Sequence, residues 1–108
     1  SRENFVGLTG ALFDEIGPNA AIGFFNIFAT VPTRARYFNA WLVEAQAERP
    51  NLLVLDWASL AELHPRWHDD DGFHYNYTGA EARNAYMAQA MIDTYRFAHA
   101  RGSNWPNP

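Results

Sequence analysis

The clearest candidate for chemistry is a short acidic segment in which Asp71 precedes His74 by three residues. Gly72 between them permits a sharp backbone turn, which lets the carboxylate reach the Nδ1 atom of the imidazole. A carboxylate in that position fixes the histidine tautomer and stabilises imidazolium, and it leaves Nε2 free as a general base toward a hydroxyl group. The spacing therefore predicts an acid–base pair in which His74 is the base and Asp71 orients it.

Two other interpretations of this segment stay open. The plain one is a surface aspartate in a turn followed by a histidine that packs against the next helix. The other is a metal site, since the segment holds several possible ligands, namely His64, His68, Asp69, Asp71 and His74. Their spacing matches no defined zinc pattern, and an EF-hand loop counted from Asp69 would need glycine where His74 stands. Asp69 and Asp70 are expected to be solvated charges that raise the pKa of a nearby histidine.

Two apolar runs predict the strands that must position this segment. Residues 20–29 form a nearly unbroken run, and Leu52 to Leu55 form a second one that ends in Asp56. Neither run alternates with polar residues, which indicates strands buried on both faces. Asp56 is expected to cap the turn that follows the second strand.

Three main helices are predicted around these strands. The first carries Phe5, Leu8, Leu12 and Ile16 at helical spacing and ends at Gly17-Pro18-Asn19. The second begins at Pro32 and Thr33 and has a core face that includes Phe38 and Trp41. A short helical turn is expected over 58–63, and a loop over 64–77. The last helix is predicted over 78–98, with Thr78 and Glu81 as a capping box.

The order of elements predicts a right-handed parallel crossover. Two parallel strands alone leave their outer edges unpaired, so the chain is expected to be part of a larger sheet. Residues 1–100 are expected to belong to that domain, and 101–108 to form a tail. Ligands of open α/β sheets collect beyond the carboxyl ends of the strands, where Asp56, Trp57 and the loop lie. Trp57, Trp67, Phe73 and Tyr75 are expected either to line a pocket there or to pack under the loop.

A resemblance to a known family enters at these residues. Asp71-Gly72-Phe73-His74 followed by Thr78-Gly79-Ala80 resembles the last sequence block of SGNH/GDSL hydrolases. Upstream stretches are similar in order and spacing to the C-terminal half of such domains, including those attached to bacterial acyltransferase-3 membrane proteins. These stretches are Ile16-Gly17-Pro18, Thr30-Val31-Pro32, Asn39, Pro50-Asn51 and Leu55-Asp56-Trp57. The resemblance covers nearly all of the chain, and the Asp-x-x-His block is its diagnostic part.

The resemblance implies the C-terminal half of a three-layer α/β/α sandwich with a parallel, flavodoxin-like sheet. It further implies a serine esterase or O-acyltransferase that acts on an ester or on an acylated carbohydrate or lipid, with His74 and Asp71 as the catalytic pair and no cofactor. The family's nucleophile follows Gly-Asp, but none of Ser1, Ser59 and Ser103 does. The nucleophile is therefore expected in the remainder of the domain, and the isolated chain is expected to be inactive. A further departure is Tyr75, which stands where a smaller or apolar residue is expected.

Composition narrows the class of protein further. The 108 residues carry a net charge of −4 and include eight arginines that are scattered and no lysine. This distribution argues against nucleic-acid binding, which needs a clustered basic surface. No apolar run approaches the roughly 20 residues of a membrane span, so no membrane contact is expected from this segment. The compartment stays open, although the resemblance makes an extracytoplasmic site plausible. A different class also stays open, namely a non-catalytic binding module that kept the scaffold and lost the site.

Overall fold

A computed structural model describes residues 2–28, 33–71 and 74–102 as a mixed α/β unit that is mostly helical. The helices of the main body are α1 (Arg2–Ile16), α2 (Thr33–Glu48), α3 (Trp57–Glu62) and α4 (Tyr77–Ala100), and the strands are β1 (Ile22–Phe25) and β2 (Leu52–Leu55). One turn of 3₁₀ helix spans Pro65–Trp67. The predicted order of elements is confirmed. Within the described ranges, no helix is long and apolar enough to cross a membrane.

The two strands pair in parallel, as predicted. Ile22 lies opposite Leu52, and Phe25 lies opposite Leu55. β1 is shorter than the predicted run over 20–29, and that part of the prediction is wrong. The reason lies in Ile27, whose backbone N–H donates to Asn39 Oδ1 (2.8 Å) and whose carbonyl accepts from Asn39 Nδ2 (2.7 Å). Because the amide of Asn39 satisfies both groups, the chain leaves the sheet soon after Phe25.

The main core lies between one face of the sheet and helices α1 and α2. Its buried members are Phe13, Ile22, Phe38, Leu42, Ala45 and Leu52. Trp41 packs against this cluster and stacks on Phe13 at a ring-centroid distance of 6.1 Å. The predicted core role of Phe38 and Trp41 is therefore confirmed.

Helix α4 packs on the opposite face of the sheet at Gly23. A side chain at Gly23 would overlap the Thr94 hydroxyl, so the absence of a Cβ allows this close approach. Helices therefore lie on both faces of the strand pair, as the burial of parallel strands requires.

Gly17 ends α1 as predicted. Its φ of 82° is the left-handed conformation that favours glycine, and its N–H donates to the Phe13 carbonyl at 3.0 Å. Asn51, which is buried, fastens this turn because its Nδ2 donates to the carbonyls of Gly17 (2.9 Å) and Ala20 (2.8 Å). These bonds hold the start of β1 beside the start of β2.

The two outer edges of the sheet differ. On β2 the chain seals its own edge, since Leu52 N donates to the Arg49 carbonyl (2.9 Å) and Val54 N donates to Gln46 Oε1 (2.7 Å). On β1 the backbone groups of Gly23 and Phe25 face away from β2, and no further strand lies beside them in the described part of the chain. Among the described residues, the β1 edge is therefore the one open to extension.

Candidate acid–base site

The segment between α3 and α4 is more regular than the predicted loop. His68 and Tyr75 form an antiparallel bridge, and Asp69 N donates to the His74 carbonyl at 2.8 Å. Asn76 N closes the base by donating to the Trp67 carbonyl at 3.0 Å. We call the described parts of this segment, residues 67–71 and 74–76, the site hairpin. The pairing places Asp71 and His74 at the far ends of its two arms.

The structure brings Asp71 and His74 together as the spacing predicted. Asp71 Oδ2 binds Nδ1 of the His74 ring, and Oδ1 accepts the His74 backbone N–H at 3.0 Å. Because both carboxylate oxygens bind the same residue, Asp71 fixes the ring as well as the backbone of His74, and Nε2 faces away from this contact. Gly72, to which the sequence assigned the sharp turn, lies outside the described residues together with Phe73. The catalytic role of the pair stays a prediction.

The pair is open to solvent, and the negative charge around it stabilises the protonated imidazolium form of His74. The His74 side chain is 79% exposed and that of Asp71 is 44% exposed. The hydrogen bond that His74 Nδ1 donates to Asp71, and then the charge of Asp71, raise the pKa of His74 above its usual 6.5, and the charge of Asp69 adds to this. The expected effect on a nearby histidine is thus confirmed for Asp69, whereas Asp70 is not among the groups that raise this pKa. Because the pKa is raised, the contact is favoured below pH 6.5 and weakens as the pH rises through the pKa of His74.

The carboxyl ends of the strands are tied together beside the hairpin. Asn26, which follows β1, donates from Nδ2 to Asp56 Oδ1 at 2.7 Å and accepts the Ala58 N–H at 2.7 Å. Asp56 also accepts the Ser59 N–H at 3.2 Å, which makes it the N-cap of α3. The predicted capping role of Asp56 is confirmed. The hydrogen bonds from Ser59 and Asn26 lower the pKa of Asp56.

We expect Asp56→Ala to lower the free energy of unfolding by roughly 1–2 kcal/mol, the usual cost of losing an N-cap. The carboxyl also accepts the amide of Asn26, so the loss should loosen the ends of both strands. Urea unfolding followed by circular dichroism measures this, with the exposed Glu44→Ala as the control. An Asp56→Ala protein as stable as Glu44→Ala would contradict the assigned cap. Because the pKa is lowered, the contribution of Asp56 should be present above pH 3.8 and be lost as the pH falls through its lower folded pKa.

Aromatic side chains of the hairpin pack against Trp57 of α3, which in turn meets an aromatic side chain of α4. Trp57 is fully buried and donates from Nε1 to the Tyr75 hydroxyl at 3.0 Å. Its ring stacks on Trp67 at 5.6 Å and meets Tyr86 of α4 at 5.4 Å. Of the two roles that the sequence left open for these aromatics, packing under the hairpin is the one observed for Trp57, Trp67 and Tyr75.

Arg83 completes this aromatic layer from α4. Its guanidinium carbon lies 4.4 Å from the ring centre of Phe25 and 5.0 Å from that of Trp57. Nη1 is buried and has no hydrogen-bond partner in the described part of the chain, so stacking on the rings accounts for the placement of this cation. The sequence analysis did not identify Arg83, which lies nine residues beyond His74 and belongs to no motif of the predicted site.

The predicted capping box at Thr78 is wrong. Helix α4 begins at Tyr77, and its N-cap is Asn76, whose Oδ1 accepts the Gly79 N–H at 2.9 Å. The Asn76 side chain also donates to the Arg66 carbonyl. The asparagine side chain supplies both an acceptor oxygen, which bonds to the helix, and an amide donor, which bonds to the preceding turn. The consequence for the site is the expected one, since α4 still holds the end of the hairpin.

The metal interpretation gains no geometric support. Among the residues that the structure describes, no three histidine, aspartate or glutamate side chains lie close enough to hold a metal ion. The His64 ring instead stacks on Trp67 at a centroid distance of 4.0 Å. His68 is buried against two aromatic rings, so the rings of both His64 and His68 pack against aromatic side chains.

Comparison with protein-family models, with curated proteins and with solved structures finds no match to this chain. The likeness to SGNH/GDSL hydrolases therefore rests on the sequence motifs alone.

Proposed function

We propose that this chain supplies the general base and its orienting carboxylate to a serine ester hydrolase or O-acyltransferase of the SGNH type. His74 is the base and Asp71 is its partner. The observation that carries the proposal is the double contact of Asp71, which binds both Nδ1 and the backbone N–H of His74. That arrangement leaves Nε2 available to a hydroxyl group at the carboxyl ends of two parallel strands, where open α/β sheets bind ligands.

The proposed fold is the C-terminal half of a three-layer α/β/α sandwich. The open edge of β1 and the helices on both faces of the sheet support it. Helix α1 adds a third argument, since its apolar stripe is largely exposed to solvent, with Phe5 alone of its residues in an aromatic contact, edge-on to Phe38 at 5.0 Å. This stripe consists of Phe5, Leu8, Leu12 and Ile16. Further strands at the β1 edge, with their own helices, would cover the stripe and bring the nucleophile to the same end of the sheet.

The reaction requires a serine from outside the described site. Ser59 is the one serine within the described ranges, and it lies in the first turn of α3 under the cap of Asp56. In the proposed mechanism, Nε2 of His74 takes the serine proton as Oγ attacks the ester carbonyl. The imidazolium then returns that proton to the departing alkoxide, which leaves an acyl-enzyme. Water or an acceptor alcohol attacks the acyl group while Nε2 takes its proton, and the serine regains a proton as it departs.

The substrate class follows from this chemistry as an ester, and the resemblance narrows it to an acylated carbohydrate or lipid. The aromatic layer under the hairpin is packed, so the apolar walls of an acyl pocket are expected mainly from the remainder of the domain. No nucleic acid is proposed as a partner, since the net charge of −4 gives the chain no basic surface.

Active-serine labelling with a fluorophosphonate tests the proposal. In protein from the native source, we expect labelling of a serine outside residues 1–108, and we expect His74→Ala to reduce the labelling rate at least about 10²-fold because the base is lost. His64→Ala is the matched control, since His64 lies in the same segment but stacks on Trp67. Labelling that is insensitive to His74→Ala, or native protein that takes no label at all, would overturn the assignment.

A non-catalytic binding module is the second candidate. The exposed stripe of α1 and the 79% exposure of His74 favour it, because both leave surface available to another protein without any need for chemistry. The same labelling experiment separates the two, since a native protein without a reactive serine but with a folded hairpin fits the module alone.

A further inference from the structure

His68 is the one histidine of the hairpin that is buried. It is 8% exposed, and neither Nδ1 nor Nε2 has a hydrogen-bond partner in the described parts of the chain. Buried polar atoms are normally paired, so an imidazole with both nitrogens unpaired calls for an explanation. The proposed reaction makes no use of this residue.

The position of His68 links the hairpin to the sheet. Its backbone forms the bridge to Tyr75, and its ring lies 5.0 Å from the Tyr75 ring. On its other side the ring lies 4.8 Å from that of Phe28, in the segment that follows β1. The His68 imidazole therefore lies between the Tyr75 ring of the hairpin and the Phe28 ring that follows β1, and it connects the two.

Protonation would change this contact. A charged imidazolium carries two N–H donors, and each needs an acceptor when it is buried. The neighbouring rings of Phe28 and Tyr75 offer no carboxylate or carbonyl oxygen, and the Tyr75 hydroxyl already accepts a hydrogen bond from Trp57. The charged group that faces His68 is Asp71 of the hairpin itself, which favours the protonated form. Burial outweighs that attraction and lowers the pKa of His68 below 6.5.

We propose that His68 is a positioning residue that holds the Asp71–His74 turn against the end of β1 only while its imidazole is neutral, so that the hairpin opens on acidification. The switch goes beyond the proposed reaction, since it governs the geometry of the pair whether or not the pair catalyses. In an enzyme, opening of the hairpin would move His74 out of the site at low pH, and this loss would be separate from the protonation of His74 itself.

The two histidines of the hairpin then respond to pH in opposite directions. The folded-state pKa of His68 is lowered, so the open hairpin binds more protons there and the closed form loses stability as the pH falls below 6.5. The folded-state pKa of His74 is raised, so its contact with Asp71 weakens as the pH rises above 6.5. The closed hairpin is therefore expected to be most stable near pH 6.5.

Amide exchange and histidine titration by NMR on the 108-residue chain test the switch. The reporters are the N–H groups of Asp69 and Asn76, which close the hairpin by bonding to His74 and Trp67. From pH 7 to pH 5 we expect their protection factors to fall by at most about 25-fold, the limit that His68 sets with an open-state pKa of 6.5, and the raised pKa of His74 reduces this loss. This loss should begin near pH 6.5 and level off at the lower pH at which His68 titrates in the closed hairpin.

Variants separate this effect from general acid unfolding. His68→Phe keeps a ring between Phe28 and Tyr75 but cannot be protonated, so its reporter amides should stay protected at pH 5. His64→Phe is the matched control and should keep the wild-type pH dependence. His68→Leu provides a second non-titrating variant should the phenylalanine not be accommodated.

Two results would overturn the proposal. One is a loss of protection at the same pH in wild type and in a folded His68→Phe or His68→Leu protein. The other is a wild-type His68 whose imidazole titrates above 6.5, since protonation would then favour the closed hairpin. Neither result depends on ester turnover, so the outcome is distinguishable from failure of the proposed function.

Discussion

Asp71→Asn is expected to reduce ester turnover by about 10²- to 10⁴-fold in the protein that carries the nucleophile. An asparagine can offer an N–H to Nδ1 of His74, which places the imidazole proton on Nε2 and removes the base. The lower bound reflects the 44% exposure of Asp71, because water competes for the same contact. Substrate binding is expected to change little, so the effect should appear in kcat and equally in kcat/KM.

The same substitution has a readout in the isolated chain that needs no activity. The hydrogen bond and charge of Asp71 raise the pKa of His74, so Asp71→Asn should return it toward 6.5, as followed by the Cε1–H chemical shift in NMR. Asp70→Asn is the control, since Asp70 is exposed in the same hairpin and makes no contribution to this pKa. An unchanged His74 titration in Asp71→Asn would show that the pair does not form in solution.

The pH dependence of the reaction follows from the sign of this shift. A general base acts when it is deprotonated, so the rate should rise with pH through the raised pKa of His74. In Asp71→Asn the residual rate should rise at lower pH than in the wild type. A variant whose rate profile keeps the wild-type midpoint would assign that limb to a group other than His74.

Much of the scaffold was predictable because its determinants are local. Unbroken apolar runs mark strands that are covered on both faces, and β2 occupies the predicted residues 52–55. Gly17 stops α1 because the following turn needs a positive φ, which glycine adopts at low cost. The Asp71–His74 contact was predictable for a similar reason, since three residues of spacing suffice for a carboxylate to reach back to an imidazole.

The rest depends on contacts between residues distant in the sequence. The end of β1 is set by Asn39, twelve residues beyond Ile27, and no local pattern reveals which backbone groups its amide will bind. The N-cap of α4 is Asn76 rather than Thr78. Its amide oxygen accepts a hydrogen bond from the helix, and its amide nitrogen donates one to the Arg66 carbonyl in the preceding turn. The burial of His68 depends on Phe28, which approaches from the other side of the sheet's end.

The exposed apolar stripe of α1 shows that a sequence pattern can predict a helix without predicting what packs against it. Its period predicts a helix correctly, and the helix forms. Periodicity identifies an apolar face but not what covers it, and here Phe13 enters the core while Leu8, on the stripe, is 74% exposed. In the proposed fold the covering elements are further strands and helices at the open edge of β1.

Gly79→Ala is expected to cause the largest loss of stability of the glycine-to-alanine substitutions in the described chain, at roughly 3 kcal/mol or more. Gly79 is buried in the first turn of α4, where a Cβ would overlap the backbone carbonyl oxygen of Trp67. A backbone carbonyl cannot swing aside as a flexible side chain can. This carbonyl also accepts the Asn76 N–H, so any shift must break the base of the hairpin.

Thermal and urea unfolding measure the loss, and Gly7→Ala is the matched control. Gly7 is also within a helix, but a Cβ built there meets nothing within 4 Å, so alanine should raise stability by about 0.5–1 kcal/mol through its higher helix propensity. The two substitutions add the same methyl group and should change stability in opposite directions. If Gly79→Ala is as stable as Gly7→Ala, then α4 does not dock on Trp67, and the support that holds His74 and Asp71 in place must be assigned to other contacts.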